Sequence, residues 1–149
     1  MIIDALLLLS DAQALTATAF STNTIDLGTQ TVQRDVAVGE KLACNFQVDV
    51  AADTTSGDET YTFQLVQSAN ANLSSPDVLN QIAIARATLV AGYTFELFWP
   101  TNEITKRYIG VQYTLGGTTP TLTITAMVQP AILSSLGVPK SYARGYTIS

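Results

Sequence analysis

The sequence predicts an all-β fold, a sandwich or barrel of about eight short antiparallel strands, and three observations carry that expectation. The dominant apolar periodicity is two, as for a half-buried strand, and not that of a helix. Threonine, whose branched Cβ is stiff and suits a pleated surface, supplies about one residue in seven. Helix signals are few, and turn-forming residues punctuate the chain at short intervals.

At the N-terminus, Met1-Ile2-Ile3-Asp4-Ala5-Leu6-Leu7-Leu8-Leu9 followed by Ala12-Gln13-Ala14 superficially resembles an export signal. It has no basic leading region, and Asp4 and Asp11 interrupt it, so we expect no cleavage. No apolar stretch approaches the roughly 20 residues that a membrane-spanning helix needs. The leucines must still be covered, either by this domain or by a neighbour on which an arm docks. Ser10-Asp11-Ala12-Gln13 has the spacing of a helix capping box, but the small and β-branched residues after it would sustain a turn at most.

Leu42, Cys44, Phe46, Val48 and Val50 alternate with Ala43, Asn45, Gln47 and Asp49, which predicts a strand. After a turn-rich stretch, Tyr61 to Gln67 alternates again, and the two runs are expected to pair antiparallel. The segment from Pro76 to Ala85 fits a short helix opened by Pro76 or a strand through Ile82 and Ile84. Tyr93 to Trp99 reads as a strand stopped by Pro100. Arg107 to Leu115 alternates through Ile109, Val111 and Tyr113, Gly116-Gly117 reads as a hairpin turn, and Thr121 to Val128 sets Leu122, Ile124, Ala126 and Val128 on one side. From Pro130 onward the chain is too apolar for a solvated tail and too broken by Gly137, Pro139 and Gly145 for regular structure. It reads as an arm lying on its own sheet or on a partner.

With 149 residues, 47% hydrophobic and 13% charged, the chain is one domain able to bury about 70% of its unfolded surface. There is no histidine, which removes imidazole bases, Ser-His-Asp and Cys-His pairs and His-ligated metals. A net charge of −5, with seven basic residues and Lys106-Arg107 as the one adjacent pair, argues against nucleic acid as a partner. Cys44, alone and on the apolar side of its run, reads as a buried small residue and not as a reactive thiol.

The remaining candidate sites have plain structural readings. Asp49, Asp53, Asp58 and Glu59 lack the spacing of a calcium loop and read as a solvated hairpin loop. Glu96 and Glu103 flank Trp99, an arrangement that could hydrolyse a glycoside, but a packed strand end is the better reading of Trp99-Pro100. Gly116-Gly117 lacks the lysine and helix of a phosphate loop. Lys106 and Arg107 suit edge charges or salt bridges better than an anion site. No enzyme, cofactor or metal is expected.

Leu9-Ser10-Asp11-Ala12-Gln13-Ala14-Leu15-Thr16-Ala17-Thr18-Ala19, continuing into Ser21-Thr22-Asn23-Thr24-Ile25-Asp26-Leu27-Gly28, resembles the opening of tailed-phage capsid cement proteins of the Bordetella-phage type. Arg107 to Thr118 is similar to that family's penultimate strand and turn, and Arg144-Gly145-Tyr146 to its terminal arm. The resemblance implies a jelly-roll subunit, usually dimeric, that binds the outside of an icosahedral shell and bridges major capsid proteins without chemistry of its own. We therefore expect a single cement domain: residues 1–30 as N-terminal arm and first strand, 31–129 as sandwich core, 130–149 as C-terminal arm. The expected partners are a phage major capsid protein and a second copy in a homodimer, with no nucleic acid and no membrane. The expected location is the outer capsid surface of a virion, after synthesis in the host cytoplasm. Candidate contacts are Leu6, Leu7, Leu8 and Leu9 in one arm and Tyr142, Arg144, Tyr146 and Ile148 in the other. On this view, deleting residues 1–9 should leave a folded domain. The alternative is a jelly-roll carbohydrate-binding module of a tail spike or surface lectin, with Trp99 as a stacking platform.

Overall fold

A computed structural model describes residues 5–29 and 41–130. Among the described residues nine strands follow one another: β1 (Leu8–Leu15), β2 (Ala19–Phe20), β3 (Ile25–Asp26), β4 (Leu42–Val50), β5 (Thr60–Ser68), β6 (Asp77–Ile84), β7 (Thr94–Phe98), β8 (Tyr108–Gly116) and β9 (Leu122–Pro130). They form two antiparallel sheets, one ordered β1-β9-β4-β7 and the other β2-β8-β5-β6 with β3 also beside β8. Apart from β2–β3 and the β5–β6 hairpin, each step along the chain crosses from one sheet to the other, which is the double Greek-key order of a jelly roll. The all-β sandwich expected from the alternation is therefore the architecture found.

Local alternation placed most core side chains, with Val50 and Ala43 as exceptions, but did not reveal strand partners. The expected pairing of the Leu42 and Tyr61 runs does not occur: β4 is bonded to β7 and β9 on its two sides, so β5 joins the opposite sheet between β6 and β8. Gly116-Gly117 is likewise no hairpin turn, because β8 and β9 lie in different sheets. Gly117 is needed there for another reason. Its φ is +91°, and a Cβ would sit 2.5 Å from the Asp58 carbonyl oxygen. The segment after Pro76 resolves as a strand, paired from Asp77 to Ile84 with β5.

The interior between the sheets is closed by Cys44, Phe46 and Val48 of β4, Tyr61, Phe63 and Leu65 of β5, Ile109, Val111 and Tyr113 of β8, and Leu122, Ile124 and Ala126 of β9, all at most 2% exposed. Four rings tie the layers together. Phe46 stacks on its cross-strand neighbour Phe95 at 4.7 Å, and Phe63 of the other sheet meets Phe95 at 4.8 Å and the edge of Tyr113 at 6.1 Å. Val50, predicted to share this face, is 59% exposed because the β4–β9 register shifts between Val48 and Val50.

Strand β1 belongs to the sandwich and is not a free arm. Its register against β9 shifts twice, between Leu8 and Ser10 and between Ser10 and Gln13, and Ala12 takes a left-handed φ of 42°. These bulges replace the turn suggested by the capping-box spacing. They also let consecutive residues Leu9 and Ser10 both be fully buried, which strict alternation forbids.

Candidate functional site

The sandwich decides which side chains of the described residues lie outside its interior, where a partner can meet them. The N-terminal leucines divide. Leu6, on a 3-10 turn over Ala5–Leu7, is 84% exposed, whereas Leu7 is half-buried against the core cluster. Leu8 is half-buried opposite Met127, and Leu9 is completely buried. Leu9 is thus a core residue, and its backbone is occupied as well: Asn23 donates its N–H to the Leu9 carbonyl at 2.9 Å and its Nδ2 to the Leu8 carbonyl at 3.0 Å. The Gln13 side chain adds a bond to the Phe20 carbonyl and accepts from the Thr22 N–H. The chain's own next segment therefore covers this edge, where the sequence suggested an arm available to a neighbour. Tyr142, Arg144, Tyr146 and Ile148 lie outside the described residues.

A second surface is the side of the sandwich where β6 and β7 form the outer strands. Among the described residues, six large apolar side chains are exposed, and Val78, Ile82, Val90 and Phe98 belong to β6, β7 or the segment between them. The edges are clasped by Asn80, whose Nδ2 donates to the Phe98 carbonyl at 2.9 Å and whose Oδ1 accepts from the Gln81 N–H at 2.9 Å. Beside the clasp runs an open groove of about 460 Å³ lined by Lys41, Leu79, Asn80, Phe98, Trp99, Pro100 and Asn102. Trp99 is only 3% exposed, so its ring offers no face for sugar stacking. Phe98, which sequence reasoning passed over, is the exposed aromatic residue here, at 47%.

The outer face of the β2-β8-β5-β6 sheet is a third surface. Its half nearer Tyr108 is roofed by the 69–76 loop, where fully buried Leu73 lies on Gly110 so closely that a Cβ would be 2.6 Å from Leu73 Cδ1. The other half is open among the described residues and carries half-buried Thr62, Gln64, Gln112 and Thr114 beside exposed Gln81.

Three of the four basic side chains among the described residues are paired within the molecule. Arg107 grips Asp26 through two 2.7 Å bonds and lies 5.0 Å from the Tyr108 ring centroid, and this grip raises the guanidinium pKa further. Lys106 pairs with Asp77 at 2.7 Å and Arg86 approaches buried Glu59 at 3.6 Å. The acidic loop works as a set of turn caps. Glu59 accepts from the N–H groups of Ser56 and Gly57, while Asp53 binds Thr55 and Asp58 binds Thr118, which holds both aspartates below the usual carboxylate range. Glu59 is 3% exposed, which corrects the reading of this stretch as a solvated hairpin loop. Among the described residues no group of three Asp, Glu or Cys could hold a metal. Glu96 and Glu103 are both exposed. The Cys44 thiol is fully buried, and desolvation pushes its pKa far up, so it is no nucleophile in the folded state.

No curated protein matches the sequence. The Bbp16 family model matches residues 9–128, from the buried leucine of β1 to the last core valine of β9, and the chain belongs to the Bbp16 family.

Proposed function

We propose that the protein is a structural virion component that binds the outer surface of a phage capsid and bridges neighbouring major capsid proteins. The observation that carries this reading is the family membership, whose Bbp-type name points to a Bordetella phage protein. The surface chemistry supports it. The two sheets close on an apolar interior, with hydrogen bonds such as Asn80–Phe98 and Ser10–Tyr113 between them, and most exposed large apolar side chains of the described residues lie along the β6–β7 side, with Leu6 near the start of the chain. In this reading those are the shell-facing contacts. A subunit that binds only assembled shell stabilises it by mass action. Dimers that touch two capsomers turn the second contact into an intramolecular one, worth about 10²- to 10⁴-fold in avidity even from modest footprints.

The test is to mix the purified chain with capsids lacking it and image the particles. Added density at fixed symmetry-related sites, with occupancy reduced by Phe98→Asp, is the expected result. Capsids that stay bare at saturating protein would overturn the reading.

A further inference from the structure

We propose that the open half of the β2-β8-β5-β6 face binds a neutral, hydroxyl-rich glycan through a ladder of amides and hydroxyls. Register assembles the ladder. Phe20 lies opposite Gln112, Gln112 opposite Gln64, and Gln64 opposite Gln81, so one row crosses four strands at steps of about 4.8 Å. In the next row Thr114 lies opposite Thr62, and Thr62 opposite Ala83. Neither row contains a charged residue, although the chain carries 12 acidic and seven basic side chains.

The ladder is partly tied to itself. Gln64 donates through Nε2 to Gln81 Oε1 at 2.8 Å and accepts through Oε1 from the Thr114 hydroxyl at 2.9 Å. Those bonds fix three side chains in place before any ligand arrives, which lowers the entropy lost on binding. Capacity is left over. Gln64 keeps one N–H, Gln81 keeps both of its amide hydrogens, and the side chains of Gln112 and Thr62 make no hydrogen bond to the described residues. The row therefore presents both donors and acceptors, and the row beside it ends in the small side chain of Ala83.

This chemistry selects among ligands. Nucleic acid needs clustered Lys or Arg, and the rows have none. A protein interface core favours Trp, Tyr, Arg and large apolar groups, which are missing apart from half-buried Phe20 at the end of the row. Sugar hydroxyls, each both donor and acceptor, match the amide array, and the apolar face of a sugar ring can rest on Phe20. Gln81 lies on β6 beside shell-facing Ile82, but Phe20, Gln112, Gln64, Thr62 and Thr114 lie on β2, β8 and β5, so Gln112→Ala and Phe98→Asp separate the two proposals.

Affinity electrophoresis of the full chain through gels containing dextran, laminarin, mannan or, as an anionic control, alginate tests the idea. The expected result is retardation by at least one neutral glycan, unchanged by added salt. The double substitution Gln81→Ala/Gln112→Ala should weaken that retardation about tenfold with the unfolding midpoint unchanged, and Gln112→Glu, which keeps the side-chain size, should weaken it too. Migration unaffected by every neutral glycan, retardation by alginate alone, or full retention of binding in the double variant would each overturn the proposal.

Discussion

The Tyr113 hydroxyl meets Ser10 Oγ at 2.8 Å in the closed interior, joining an outer strand of one sheet to an inner strand of the other. Ser10 in turn donates to Gln13 Oε1 at 2.7 Å, which leaves its oxygen lone pairs to accept from Tyr113. Both Ser10 and Tyr113 are 0% exposed, and burial drives the phenol pKa far up. Ser10→Ala strands a buried phenol without an acceptor and should cost about 1–3 kcal/mol. Tyr113→Phe removes the donor while Ser10 keeps Gln13, so it should cost less. Chemical denaturation of both variants and the double mutant checks this ordering, and equal losses from the two single mutants would refute it.

Leu6 and Leu9, three residues apart, should respond oppositely. Leu9→Ala empties a fully buried site and should cost about 2–5 kcal/mol. Leu6→Ala, at an 84% exposed position, should leave the unfolding midpoint within about 0.5 kcal/mol while lowering capsid occupancy. Truncation follows the same division. Removing residues 1–6 should leave a folded domain, whereas removing 1–9 deletes a core leucine and the two carbonyls that Asn23 binds. Thermal melts of the two truncations separate these cases.

What the sequence made legible, and what it hid, follows from the range of each signal. Alternation is local, so Leu122, Ile124 and Ala126, or Ile109, Val111 and Tyr113, could be assigned to the interior without any knowledge of neighbours. Pairing is not local. Nothing in the Leu42 or Tyr61 runs says that β4 spends both edges on β7 and β9. Bulges defeat alternation by shifting the count by one, which is why Val50 leaves the core face of β4, whereas the unbroken Leu6–Leu9 run carries no alternation that would single out Leu9 as the buried one. The glutamine ladder was invisible for a related reason: Gln64, Gln81 and Gln112 are ordinary polar positions until register sets them side by side.

Close contact between Gly110 and Leu73 makes a sharper packing prediction. A methyl at 110 would fall 2.6 Å from Leu73 Cδ1 and 3.0 Å from Ser21 Oγ. Gly110→Ala should therefore cost about 1–3 kcal/mol by overpacking. If the clash with Leu73 dominates, adding Leu73→Val should recover part of that loss, and the two changes will be non-additive. A double mutant as unstable as the sum of the singles would assign the strain to the backbone instead.

Acid sensitivity should concentrate in the turn between β8 and β9. Asp58 accepts from the Thr118 N–H and hydroxyl, both at 3.0 Å, and the backbone bond is the larger cause of its lowered pKa. A carboxylate depressed in the folded state adds stability that is fully present above its unfolded value of about 3.9 and is lost as pH falls through the folded value. Denaturation midpoints for the parent chain and Asp58→Asn should thus differ at neutral pH and converge as pH drops below about 4, because protonation makes the two side chains alike. Gly117, whose absent Cβ lets the Asp58 carbonyl approach, should be equally intolerant at every pH, since its constraint is steric. A constant gap between parent and Asp58→Asn across the acid range would show that the bond to Thr118 does not depend on the charge.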